Sequence, residues 1–353
     1  MQRDDTIHLG EHRVGSAHRP YVIAEMSGNH NQSLDKALEL VEAAAAAGAH
    51  AIKLQTYTAD TMTLPVRGPG FVIENPASLW HGRTLYDLYQ EAHTPWEWHR
   101  PIFDLSRRLG IDCFSSPFDA TAVDFLEELG APAYKIASFE NTDLPLIRKA
   151  AATGKPLIIS TGLATVAELG MAVHTARTAG CRELILLKCT SNYPATPEDS
   201  NLLTIPHLAE LFDVQVGLSD HTLGIGVPVA SVALGATVIE KHLTMARADG
   251  GVDSAFSLEP AELRALVAET ERAWQALGAV SYGPTTAELP SLQFRRSLYI
   301  TEDLRAGDVL SDANVRAIRP GHGLPTAELD KVLGQAVTRP VSKGTPLSWD
   351  ILK

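Results

Sequence analysis

Residues Val214 to His242 read VQVGLSDHTLGIGVPVASVALGATVIEKH. Two short apolar runs, Val214–Leu218 and Thr237–Ile239, have the length and composition of buried parallel strands. Between them lies an Ala/Val-rich segment of helix length, opened by Gly224 and Gly226. The stretch therefore predicts one β-α-β unit, with a histidine just past the C-terminal end of each strand, His221 and His242. Ligands of α/β folds bind at the loops leaving the carboxyl ends of strands. Two neighbouring strands thus aim two imidazoles at one spot, beside Asp220, Glu240 and Lys241. Two satisfied structural histidines are the plain alternative, and the rest of the chain decides between them.

Upstream the same alternation repeats. Strand Tyr21–Glu25 leads to a helix capped by Ser33 and closed by Gly48. Strand Ala51–Leu54 leads to a long connection, Thr56 to Thr94, of a kind that forms a lid or carries its own helix. From Pro95 the pattern is regular, through the strand runs IDCFSS, AYKIAS, PLIIS and ELILLKC to the quoted unit. A helix around PAELRALVAETERAWQALG ends the series. Eight strands, each followed by a helix within about 250 residues, predict an α/β fold of the (β/α)8 TIM barrel type. The alternative, an open doubly wound sheet, would carry a Gly-rich dinucleotide fingerprint after its first strand, and this chain has none there. A short hairpin around Gly10 is expected before the barrel. The expected domains are a barrel over 1–280, a linker over 281–294 marked by SYGPTTAELP, and a small β-rich domain over 295–353. The last carries short β-type runs and the turn signals RAGD, RPGHG and SKGT.

Composition narrows the function class. The 353 residues are 45% apolar and 20% charged with a net charge of −12, which argues against a general nucleic-acid binder. No apolar run approaches the roughly 18–20 residues that span a bilayer, so no membrane partner is expected. The N-terminus lacks the apolar core of a signal peptide. Cys113, Cys181 and Cys189 are sparse, odd in number and without metal-site spacing, so a cytoplasmic location is expected.

In a barrel, polar residues at the strand ends converge on one site. Lys53 and Lys135, with the hydroxyls of Ser116, Ser138, Ser160 and Ser219, make a cationic cup rich in donors. It suits a phosphate, or a phosphate and a carboxylate together. Further polar residues close the other strand ends, among them Ser115, Lys188 and Lys241. His221 and His242 supply two nitrogens, which fits a loosely held Mn2+ or Mg2+ better than a closed zinc site. Asp253 is placed to orient a sugar hydroxyl or a metal-bound water. Glu25, on the strand that neighbours the eighth, is a candidate acid/base; an ion pair with Lys53 or Lys241 is its structural role.

The ordered runs IAEMSGNHNQSLDKA, AIKLQTYTADTMTL, CFSSPFD, YKIASFENTDLPLI, LLKCTSNYP, GLSDHT, VIEKH, DSAFSLEP, RRSLYI and RPGHG resemble the sialic acid synthase family across essentially the whole chain. The resemblance implies a barrel followed by an antifreeze-like (SAF) domain. It implies a transferase that condenses phosphoenolpyruvate with an N-acylated amino sugar, giving a nine-carbon 2-keto acid and phosphate. EMSGNHNQSL, the KIASFENTD run and FSLEP resemble the branch whose sugar is 2,4-diacetamido-2,4,6-trideoxy-L-altrose. The N-acetylneuraminate branch more often has Gly-Ser where this chain has Ala137-Ser138-Phe139. An N-acetylneuraminate or legionaminate synthase remains the alternative. Residue by residue, the resemblance implies a Mn2+ or Mg2+ ion on His221 and His242. It implies phosphoenolpyruvate on Lys53, Ser116, Lys135, Ser138, Ser160 and Ser219, and the sugar on Gln55, Tyr193 and Asp253. Ser191 stands where relatives often carry Asn. Glu25 would act at C2, together with His242 as the second catalytic side chain. Arg319, in RPGHG, would reach the partner's site in a domain-swapped homodimer.

Overall fold

The chain enters the fold through an antiparallel hairpin, β1 (Ile7–Leu9) and β2 (His12–Val14), turning at Gly10. The computed structural model describes residues 6–76 and 78–353. Eight parallel strands follow: β3 (Tyr21–Glu25), β4 (Ala51–Thr56), β5 (Asp112–Pro117), β6 (Tyr134–Ile136), β7 (Leu157–Ser160), β8 (Leu184–Cys189), β9 (Gln215–Asp220) and β10 (Val238–His242). They form a closed barrel, β10 pairing back onto β3 with His242 opposite Glu25. This is the (β/α)8 fold expected from the alternation.

The helices have local causes. α1 (Leu34–Ala47) starts where the Ser33 side chain accepts from the Lys36 amide and stops at Gly48 in the left-handed region. The connection after β4 carries α2 (Ala59–Met62), a hairpin closed by pairing of Val72 with Thr84, and α3 (Leu85–Ala92) capped by Thr84. The regular helices are then α4 (Trp96–Leu109), α5 (Ala120–Leu129), α6 (Leu144–Ala151), α7 (Val166–Thr178), α8 (Thr204–Phe212), α9 (Gly226–Val232) and α10 (Pro260–Leu277). α9 is shorter than the quoted stretch predicts, because the chain stays in turns until Gly226. His242 is the last residue of β10 rather than a residue beyond it.

Two apolar layers hold the barrel. Val22, Ala24, Ile52 and Leu54 face outward and pack with the helices, in a cluster that includes Leu40, Val41 and Ile102. Tyr21, Ile23, Ala51, Phe114, Ile158, Leu187 and Val238 face inward and pack with Ile7, Leu9 and Val14. The hairpin therefore fills the N-terminal end of the barrel with apolar side chains, and any site belongs at the other end.

The fold is divided between two units, Met1–Gly278 and Ala279–Lys353. In the second, a 3-10 helix (Thr286–Phe294) occupies much of the stretch read as a linker. β11 (Ser297–Ile300) then pairs antiparallel with β12 (Val315–Ile318), and α11 (Leu329–Val332) follows. Leu298, Ile300, Leu310, Val337 and Leu347 make a separate small core. Among the described residues no helix is long and apolar enough to cross a membrane.

One buried polar network links stability to pH. His99 contacts the Pro95 carbonyl through Nδ1 (3.2 Å) and Thr56 Oγ1 through Nε2 (2.8 Å), and Thr56 Oγ1 meets Ser115 Oγ at 2.6 Å. Burial holds this imidazole down to about 4, against opposing bonds from the backbone. The unfolded chain takes that proton near 6.5, so stability is untouched above 6.5 and is lost as pH falls toward 4, by about 3 kcal/mol from this group. In His99→Gln the drop in Tm between pH 7 and 4.5 is expected to shrink by roughly 5 °C. An unchanged drop in thermal melts contradicts the assignment.

Candidate active site

The pleat decides which strand-end residues meet. Side chains two apart on a barrel strand share a face, so each inward row continues from apolar to polar toward the C-terminal end. Ile23 is followed inward by Glu25, Ala51 by Lys53 and Gln55, Phe114 by Ser116, and Ile158 by Ser160. Ala133 is followed by Lys135, Leu187 by Cys189, Gly217 by Ser219 and His221, and Val238 by Glu240 and His242. The same rule sends three residues expected at the site elsewhere. Ser115 joins the His99 network behind the sheet, Lys188 contacts Thr190 and the Cys189 carbonyl, and Lys241 pairs with Asp220 at 2.8 Å and with the Thr222 carbonyl.

The inward side chains form a chain of charges. Lys53 Nζ lies 2.5 Å from Glu25 and 3.7 Å from Glu240, and Lys135 Nζ also lies 3.7 Å from Glu240. Lys53 donates to Ser116 Oγ (3.3 Å), Lys135 to Ser160 Oγ (2.7 Å), and Ser219 Oγ to Glu240 (3.2 Å). Gln55 donates to Glu25 at 2.9 Å. Both lysines are at most 3% exposed, so their charge acts in a weakly screened interior. Burial pushes the Glu25 carboxyl up to about 7, with Lys53 opposing and Glu240 adding to the rise. Glu240 goes the other way: burial works against its charge, but the two lysines outweigh it and hold it below the usual range. Burial lowers Lys135.

Ser138 and Ser191 join the cup through one glycine. The Gly162 amide donates to Ser138 Oγ at 3.2 Å, and Asn141 holds the loop by donating to the carbonyls of Ser160 and Gly162. A Cβ on residue 162 would overlap the hydroxyls of Ser191 and Ser138. The glycine is required by that close approach.

Above the cup, the two imidazoles face each other with ring centroids 5.3 Å apart, and Tyr193 and Phe256 pack against them. His221 Nδ1 is 3.0 Å from the Thr190 carbonyl, an acceptor, so this nitrogen carries a hydrogen; burial works against the ring's charge, but Cys189 and that carbonyl outweigh it and raise its pKa. Burial and four nearby cationic groups hold His242 well below its usual range, and its buried Nδ1 has no hydrogen-bond partner. His242 thus presents an unprotonated nitrogen, and His221 would give up its Nε2 proton on binding a divalent ion beside it. Among the described residues no group of three or more His, Cys, Asp or Glu side chains converges as a ligand set, so such an ion would take its other positions from water and substrate oxygen. Asp253 Oδ2 lies 3.7 Å from His242 Nδ1 and accepts from Ser27 Oγ. Ser27 itself is held at φ 50°, a conformation uncommon for serine that marks a constrained loop.

A cavity of about 530 Å³ opens over this floor, lined by Ser27, Gln55, Glu140, Ser191, Tyr193, His242 and Asp253 on its polar side. Two of its neighbours, Cys189 and Glu140, escaped the sequence reading, and Glu240 was placed beside the imidazoles rather than among the lysines. Glu240 and Cys189 sit inward, two residues beyond Val238 and Leu187, and counting in twos finds both. Glu140 ends the 3-10 turn Ser138–Glu140; its buried Oε2 has no hydrogen-bond partner, and burial, partly opposed by Lys135, pushes its carboxyl up to about 7. Arg319 belongs to the second unit, exposed just past β12. The turn after it is braced by Ser297, which donates to the Pro320 carbonyl (2.7 Å) and accepts from the Gly323 amide (2.9 Å).

Comparison with known proteins agrees with the barrel and with the domain that follows it. The NeuB family model matches residues 40–282 and the SAF domain model residues 295–353. Pseudaminic acid synthase of Helicobacter pylori is 43% identical over 94% of this chain and 97% of its own length. N,N'-diacetyllegionaminic acid synthase of Legionella pneumophila is 38% identical over 95% of each chain. The crystal structure of N-acetylneuraminic acid (sialic acid) synthetase from Leptospira borgpetersenii superposes with a TM-score of 0.72 at 33% identity, covering 82% of this chain and 96% of that one. The chain belongs to the NeuB family and carries a SAF domain.

Proposed function

We propose that this chain catalyses the pseudaminic acid synthase reaction, condensing phosphoenolpyruvate with 2,4-diacetamido-2,4,6-trideoxy-L-altrose and water to give pseudaminic acid and phosphate. The observation that carries the reading is the inward ladder, which ends in two buried lysines and a ring of hydroxyls beneath two neighbouring imidazoles. Lys53, Ser116, Lys135, Ser138, Ser160 and Ser219 bind phosphoenolpyruvate. Gln55, Ser191, Tyr193 and Asp253 face the sugar in the cavity above. The choice of sugar follows the 43% identity to the H. pylori enzyme. A legionaminate or N-acetylneuraminate synthase is the second reading, supported respectively by the 38% identical relative and by the 33% identical solved structure.

His221 and His242 would hold the Mn2+ or Mg2+ ion. When bound, the ion supplies Lewis-acid polarisation of the sugar's aldehyde oxygen. The chain's own groups do the rest. The cup fixes the phosphate and carboxylate so that C3 of phosphoenolpyruvate points at the aldehyde carbon, which is catalysis by orientation. As the C3–C1 bond forms, positive charge develops at C2, and the Glu25 carboxylate stands beside it. Water adds at C2, giving one proton to Glu25, which passes it to the former aldehyde oxygen to make the hydroxyl. The C2–O bond to phosphate then breaks as the new C2 hydroxyl gives its proton to the departing phosphate, and the 2-keto acid and inorganic phosphate leave. A cytoplasmic location goes with this reading, since all three cysteines are free and buried.

The test is product identity. Incubation with both substrates and Mn2+ should give a nine-carbon 2-keto acid by mass spectrometry, formed only when both substrates are present. Consumption of phosphoenolpyruvate without that product contradicts the reading.

The proposal includes a domain-swapped homodimer in which Arg319 of one protomer completes its partner's site, supported by the exposure of Arg319 on a braced turn. His242→Ala and Arg319→Ala are then each strongly impaired alone. Mixed heterodimers regain activity, because one of their two sites is intact. Absence of any recovery in co-expressed variants contradicts the swap.

A further inference from the structure

We propose that the connection spanning 56–94 is the element that selects the sugar, because its apolar wall takes the sugar's methyl groups. The inference rests on the reaction proposed above and names what that site recognises. The cavity has two unlike sides. Gln55, His242 and Asp253 lie toward the cup, whereas Met62, Ile73, Leu85 and Leu88, with Tyr57 and Tyr89, present carbon from this one connection.

Hydrogen bonds hold the wall in place. Ile73 exchanges backbone bonds with the far arm of its hairpin, donating to Arg83 (2.9 Å) and accepting from Gly82 (2.8 Å). Trp80 Nε1 donates to the Val252 carbonyl at 3.0 Å, tying the hairpin to the loop after β10. Gln32 donates to the carbonyls of Glu91 (2.7 Å) and His93 (2.9 Å), tying the end of α3 to the loop after β3. Gly28 permits this approach, since a Cβ there would collide with Val252 and crowd Ala92. Asn75 and Ser78 add polar atoms to the same wall.

Chemistry fixes which end of the sugar meets it. The aldehyde carbon must lie over the cup and beside the imidazoles, so C4 to C6 extend away from them. The trideoxy sugar carries methyl groups on both acetamido arms and at C6. N-acetylmannosamine has one such arm and places hydroxyls at C4 and C6. Hydroxyls set against Ile73 and Leu85 lose water without gaining partners, and an apolar pocket rejects them by on the order of a hundredfold.

The experiment compares kcat/KM for the two sugars in the wild-type enzyme and in Ile73→Thr combined with Leu85→Gln, both partly exposed positions. The wild-type preference for the trideoxy sugar is expected to narrow at least tenfold in the double variant, with the KM for phosphoenolpyruvate unchanged. Ile73→Val with Leu85→Met keeps the wall apolar and should keep the preference. An unchanged ratio in the polar variant, or its loss in the apolar one, overturns the inference and leaves the reaction standing. A wild-type preference for N-acetylmannosamine overturns the sugar assignment itself, and the inference with it.

Discussion

Alanine in place of either His221 or His242 is expected to lower turnover by a factor on the order of a thousand or more, while the fold survives. The magnitude follows from the several kcal/mol that a Lewis acid contributes at a developing oxyanion. The survival follows from position. Both rings lie at the C-terminal end of the barrel, outside the apolar clusters that hold strands and helices together. His221 would forfeit its bond to the Thr190 carbonyl, worth about 1 kcal/mol, and His242 Nδ1 has no hydrogen bond to lose. Mn2+ binding, followed by loss of the free-ion EPR signal, should weaken in both variants. Near-normal activity in excess EDTA contradicts the role given to the pair.

Glu25→Gln is expected to cut kcat by about 10²–10⁴, the usual worth of a positioned acid or base, with little rise in the KM for phosphoenolpyruvate. The carboxylate is paired to Lys53 at 2.5 Å and held by Gln55 at 2.9 Å. Substitution leaves Lys53 with Glu240 as its remaining anionic partner, at 3.7 Å. The cup thereby loses a negative charge and keeps both lysines, so an anionic substrate binds at least as well as before. The defect therefore belongs to the transition state and appears in kcat. A variant impaired in KM alone would make Glu25 a binding residue.

Much of this site is legible in the sequence, because a closed barrel gathers its strand ends regardless of their separation in the chain. Lys53, Ser116, Lys135, Ser160, Ser219, His221 and His242 stand at corresponding ends of six apolar runs, and the barrel rule alone unites them. What the strand ends do not reveal is facing. Ser115 and Ser116 are adjacent serines in the same run, yet one meets Thr56 behind the sheet and the other meets Lys53. Only alternation counted from an inward anchor such as Phe114 separates them. Glu240 was read as a neighbour of His242 and proves to lie between the two lysines, for the same reason. The connection over 56–94 was harder still. Its hairpin pairs Val72 with Thr84 through an irregular turn, and such a turn leaves no period in the sequence. Glu140 was missed because a 3-10 turn, not the strand, carries it to the cavity.

Phosphate release from phosphoenolpyruvate with Mn2+, in separate reactions with 2,4-diacetamido-2,4,6-trideoxy-L-altrose, with N-acetylmannosamine and with neither, tests the central claim most directly. Release that depends on the altrose derivative is the predicted result. Release with N-acetylmannosamine alone, or at the same rate with no sugar, contradicts it.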